Sequence, residues 1–166
     1  MQEYSNEDFY LDVKQFNELC GKGKPKNKQD LLNQIKLIRE ELDETEAAVN
    51  AEDPVETLDG VIDVGFTFFG LMGMLEALSF DVMDAAATTC DNNLTKFVSM
   101  PGLVDATIDM VRQKEPGKEL TVEYSSKYRL YAVKDSNGKV LKPYGYKRNN
   151  VALFAPSAAF TKLSEG

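Results

Sequence analysis

The chain has 166 residues, with 19 Lys plus Arg against 27 Asp plus Glu, a net charge of −8, and no histidine. That length suits one well-buried core rather than a large two-domain enzyme, at the usual ~100–200 residues per domain. The acidic balance argues against broad binding of a nucleic acid polymer. The missing histidine removes Ser-His-Asp and Cys-His relays and the commonest zinc ligand, so any hydrolytic chemistry is expected to use carboxylates and a hard metal ion.

In chain order, Asp8 to Cys20 places Phe9, Val13, Phe16 and Leu19 at helical spacing and predicts a short amphipathic helix. The basic stretch Gly21-Lys22-Gly23-Lys24-Pro25-Lys26-Asn27-Lys28 reads as a solvated connector, with a lysine reaching a phosphate as the alternative. From Gln29 to Val49 the residues Leu31, Ile35, Ile38, Leu42, Thr45 and Val49 keep one face apolar and predict a second helix. Pro54 suits the first position of a third helix running to about Leu75. Only Asp63 is charged between Gly60 and Leu75, so this helix is expected to be the buried centre of a bundle. A fourth helix is expected from an N-cap at Ser79 to about Phe97. After Pro101-Gly102, Val104 to Arg112 predicts a short helix. The alternation from Tyr128 to Tyr146 around Asn137-Gly138 predicts a β-hairpin. The tyrosines Tyr128, Tyr131, Tyr144 and Tyr146 read as strand packing first and as a base-stacking surface second. The expected architecture is mainly α: a helical bundle over residues 1–100, then a C-terminal extension over 101–166 with a short helix and a hairpin.

Cys20 and Cys90 have no metal-ligand spacing and read as free thiols of a reducing cytoplasm. Met1 to Asp12 is acidic and aromatic, so no secretory leader is expected. The run Val61 to Leu75 is shorter than the ~18–20 residues of a spanning helix, so no membrane association is expected either.

The chemistry concentrates in the second and third helices. With Glu40 at 0° and ~100° per residue, Glu44 falls near ~40° and Glu41 near ~100°, so Glu41 borders the apolar stripe. On the third helix Asp63 falls near ~40° and Glu56 near ~60° of Asp59. Two facing helices thus project carboxylates toward one space, an arrangement that a divalent cation such as Mg²⁺ would compensate. The bland alternatives are a solvated acidic face for Glu40, Glu41 and Glu44, and an ion pair of Asp63 with Arg39 or Lys96. Asn93 and Lys96 share a face and suit phosphoryl oxygens; alternatively they are an ordinary helix end.

The segments Leu37-Ile38-Arg39-Glu40-Glu41-Leu42-Asp43-Glu44, Glu56-Thr57-Leu58-Asp59-Gly60-Val61-Ile62-Asp63 and Asn93-Leu94-Thr95-Lys96 carry, in this order, a resemblance. They resemble the all-α nucleotide pyrophosphohydrolases, which include MazG-like and phosphoribosyl-ATP-pyrophosphohydrolase-like proteins. Asp12-Val13-Lys14-Gln15-Phe16, the Asp63-to-Gly70 spacing and Gly138-Lys139-Val140-Leu141-Lys142 are similar to the phosphoribosyl-ATP-like branch. The resemblance spans residues 8–98, and 128–146 loosely. The family's Glu-x-x-Asp motif is read with Asp63 as its Asp, which puts Gly60 at the Glu position and Asp59 in the ligand role. Glu56-x-x-Asp59 is the other possible reading.

The resemblance implies hydrolysis of a nucleoside triphosphate, ribo or deoxy, to the monophosphate and pyrophosphate with Mg²⁺, or Mn²⁺ as substitute. It implies Glu41, Glu44, Asp59 and Asp63 as metal ligands and Glu40 as a further ligand or water-orienting base. Asn93 and Lys96 would contact the phosphates. It implies self-association into dimers or tetramers. The alternatives are phosphoribosyl-ATP hydrolysis and a non-catalytic nucleotide-binding bundle, the latter fed by Gly60.

Overall fold

A computed structural model describes residues 4–161 and 163. Among these the chain is mainly helical, with α1 (Asn6–Leu19), α2 (Lys28–Asn50), α3 (Pro54–Ala77), α4 (Val82–Leu94) and α5 (Pro101–Lys114), then β1 (Leu120–Ser125) and β2 (Leu130–Asp135). It divides into two compact units, Met1–Val82 with Ala152–Gly166, and Met83–Val151. α4 therefore groups with α5 and the strands.

In the first unit, α3 packs along α2 and also against α1. Each helix has a defined start. Ser5 and Asn27 form capping boxes with Asp8 and Asp30, and Asp53 accepts from the Val55 and Glu56 N–H groups ahead of Pro54. Each also ends alike, on a left-handed residue: Gly21 (φ 68°), Glu52 (φ 56°) and Ser79 (φ 69°). The following N–H reaches back to close the turn in all three: Lys22 to Asn17, Asp53 to Ala48 and Phe80 to Leu75. Ser79 is thus the stop of α3 rather than the cap of α4, which begins three residues later.

Leu31, Met74 and Leu163 form the centre of this unit's core, with Leu71, Leu75 and Leu78 packed around them. Between α1 and α3 the contact is aromatic: Phe9 and Tyr10 meet Phe69 edge-on at 5.3 and 5.5 Å, and Phe16 meets Phe66 at 5.2 Å. Against expectation α3 is not buried all round. Only Gly70 and Met74 are buried on it, while Val55 is 71% and Leu58 65% exposed. Two neighbouring helices cover only part of a cylinder, and the rest of its apolar surface faces outward. By length and composition alone, α3 is apolar enough to cross a membrane. The Asp81 N–H donates to the Phe154 carbonyl (2.9 Å) and Phe80 meets Phe160 at 6.1 Å, so the returning C-terminal segment is anchored where α3 ends.

In the second unit the strands pair antiparallel with Val122 opposite Val133 and Glu123 opposite Ala132. Val98, Val104 and Val133 form its core. The hairpin lies one element upstream of the position expected from Asn137-Gly138. That dipeptide does turn the chain, but the return makes a single bridge, Lys134 to Val140, rather than a strand. Pro143 interrupts the ladder, and the Tyr144 N–H donates instead to the buried Thr107 hydroxyl (3.0 Å). Asn92 holds the same segment by donating to the Lys147 carbonyl (2.7 Å) and accepting from the Tyr146 hydroxyl.

Candidate functional site

The α2–α3 crossing sets the geometry of the carboxylates. A Cβ placed on Gly60 would lie 2.5 Å from the Thr45 Oγ1 and 3.2 Å from its Cα. Only glycine allows this approach, and no glutamate can occupy position 60 without driving the helices apart. The Thr45 hydroxyl donates to the Glu41 carbonyl one turn earlier (2.6 Å), which fixes its rotamer at the contact. Glycine at position 60 thus has a steric cause; helical spacing places Thr45 on the packing face of α2 but does not give its contact with Gly60.

Glu41 emerges just beside that contact and is half-buried. Desolvation raises its carboxyl above the ordinary carboxylate value, and Asp63, Glu44, Glu40 and Asp59 each raise it further through their negative charge. Four of the singled-out carboxylates, from two helices, therefore act on Glu41. Glu40, Glu44, Asp59 and Asp63 are exposed. Glu40 is paired with Lys36 at 2.8 Å, and Asp63 forms no ion pair with Arg39. Asp63 sits beside apolar neighbours in sequence but faces outward.

These groups are all hard oxygen donors, the chemistry Mg²⁺ selects. Among the described residues no three His, Cys, Asp or Glu side chains come together tightly enough to hold a metal ion. The cluster matches a hard cation in donor type and charge; it is not a closed ligand cage.

Asn93 and Lys96 belong to the second unit. The Lys96 ammonium donates to the Asn93 amide oxygen (2.7 Å), so the two form a pair across the end of α4. In the basic loop, Lys24 and Lys26 border a cavity of about 760 Å³ with Leu78, Ala159 and Leu163, and Pro25 is buried. Gly70 is closely packed: a Cβ there would lie 2.9 Å from the buried Gln34 amide nitrogen and 3.1 Å from that of Asn17. Both cysteines are free and exposed. Comparison with known proteins adds no relative: no family model, no curated protein and no solved structure matches the chain.

Proposed function

We propose that this chain is a nucleotide pyrophosphohydrolase of the all-α, MazG-like kind, cleaving a nucleoside triphosphate to the monophosphate and pyrophosphate. The observation that supports the reading is the half-buried Glu41, whose carboxyl is raised first by desolvation and then by four further carboxylates from two helices that meet at Gly60. Negative charge on Glu41 is thus disfavoured without a counter-charge, and perturbed carboxyl groups of this kind recur at working sites. In this proposal Glu41, Glu44, Asp59 and Asp63 would hold Mg²⁺ or Mn²⁺. Bound there, the cation supplies positive charge to a polyphosphate and activates water. Glu40 orients the attacking water and accepts its proton as the phosphoanhydride bond breaks. Asn93 and Lys96 lie in the second unit and form a pair of their own, whose amide and ammonium suit phosphoryl oxygens. The proposal includes self-association. Val55, Leu58 and Ile62 form an exposed apolar row on α3, at the spacing of one helix face, which a second copy would cover. Location in the cytoplasm is part of the same reading.

The test is pyrophosphate release from a panel of ribo- and deoxyribonucleotides, phosphoribosyl-ATP included, with Mg²⁺ or Mn²⁺. Release is expected, with at least a hundredfold loss in Asp63→Asn and no loss in Glu46→Gln, a nearby exposed carboxylate on α2. Nucleotide binding without release from any member would replace the hydrolase with a binding module, and release confined to phosphoribosyl-ATP would reassign the substrate.

A further inference from the structure

The second unit contains a cavity of about 420 Å³, in the usual size range of small-molecule sites, ~300–1,000 Å³. Its walls are largely apolar: Leu94 ends α4 and Phe97 follows it, and Leu130 and Ala132 come from β2. Alternation along the hairpin explains why it is hollow. Leu130, Ala132 and Lys134 point to one face of the sheet, with Glu123 directly opposite Ala132. The small Ala132, only 5% exposed, leaves a depression between two long side chains. The floor is held in place, because β2 pairs with β1 and also bridges to Val98 and Val140.

The lining also carries polar groups. Lys134 is ion-paired with Glu123, which sets a cationic donor beside an anionic acceptor. The Ser125 hydroxyl, which accepts from the Tyr128 N–H (3.4 Å), lies two residues along the same strand face. Tyr128 adds an exposed aromatic ring to the lining. Apolar walls beside a donor and an acceptor suit a planar ring whose faces are apolar and whose edge carries hydrogen-bonding groups. An aliphatic ligand would leave that edge chemistry unused.

We propose that this cavity takes the heteroaromatic base of a nucleotide. The inference rests on the nucleotide reading and deepens it. Within this unit, Leu94 and Phe97 each directly follow a member of the Asn93–Lys96 pair, so one short stretch supplies the base walls and the phosphate contacts. The hairpin is then a recognition element, and the choice of base is set by Glu123, Ser125 and Lys134.

The experiment titrates phosphate-free purine and pyrimidine nucleosides into the full chain, followed by backbone amide NMR. Saturable shifts at Phe97, Leu130 and Ala132 are expected, with at least tenfold weaker binding in Ala132→Leu, which fills the depression. Tyr128→Ala, altering only an exposed side chain, should weaken binding several-fold with the thermal midpoint unchanged. Asp63→Asn should bind nucleoside as the unaltered chain does. Absence of nucleoside binding, or binding that neither Ala132→Leu nor Tyr128→Ala weakens, overturns the base site even where pyrophosphate is released. Nucleoside binding lost in those variants upholds it even where no nucleotide is hydrolysed, and in that case the hydrolase reading alone fails.

Discussion

Adding one methyl group at Gly60 should separate the two acidic helices. In Gly60→Ala the new Cβ meets the Thr45 Oγ1 at 2.5 Å and the Thr45 Cα at 3.2 Å, against an ordinary contact of 3.4–4 Å. The hydroxyl is held by the Glu41 carbonyl (2.6 Å), and the Cα is backbone, so relief requires the helices to shift. Overpacking of this kind costs about 1–3 kcal/mol, and the Gly-to-Ala gain in helix propensity returns about 1 kcal/mol, for a net loss near 1 kcal/mol. Gly102→Ala is the control: a Cβ there meets nothing within 4 Å, so the propensity gain stands alone. Chemical denaturation followed by circular dichroism, with hydrogen exchange at α2 and α3 amides, reads both. In a Thr45→Ala background the cost of Gly60→Ala should shrink by about 1 kcal/mol, a coupling typical of residues in contact. If Gly60→Ala stabilises as much as Gly102→Ala in both backgrounds, the crossing is not sterically set and the account of the acidic cluster is wrong.

Other outcomes follow from the same structure. Ser79→Gly and Glu52→Gly should each raise stability by about 0.5 kcal/mol, because both positions hold a left-handed backbone without a glycine; a loss in either, measured by denaturant midpoint, would refute the helix-end geometry. Glu41 binds its proton more tightly when folded, first through desolvation and then through its acidic neighbours. As pH rises, the unfolded chain releases that proton first, so this group's contribution to stability falls from the ordinary carboxylate range upward. Glu41→Gln should therefore raise the thermal midpoint at neutral pH, with the gain vanishing in acid; a gain independent of pH would contradict this. The full chain should sediment as a dimer or larger, and Leu58→Asp with Ile62→Asp should shift it toward monomer. A monomeric unaltered chain would sink the self-association proposal.

The first three helices lie close to where their apolar spacing predicts, because local signals agree there: caps at Ser5, Asn27 and Asp53, and a proline at the start of α3. Ser79 misled because a serine before a helical run resembles a cap, while its use as a left-handed stop depends on backbone hydrogen bonds behind it. β1 carried no glycine or proline at its turn; Arg129 takes the positive φ (55°) instead, so nothing local marked the hairpin. Asn137-Gly138 did mark a turn, and its strand was lost to Thr107 and Asn92, partners far away in the chain. For the candidate site, the border position of Glu41 follows from ~100° per residue. The reason for Gly60 lies on another helix, and no one-helix projection contains it. The extent of bare surface on α3 depends equally on how many neighbours the fold supplies.

The hydrogen bond from Asp81 to Phe154 makes the stretch between them an insertion in the topological sense: the chain departs from the N-terminal helices and re-enters at nearly the same point. Excision of 83–151 with a short bridging linker should yield a minimal helical protein that keeps Leu163 against Leu31 and Met74. During synthesis, residues 83–151 have to emerge before Leu163 arrives, so α1, α2 and α3 appear well ahead of the piece that completes their core.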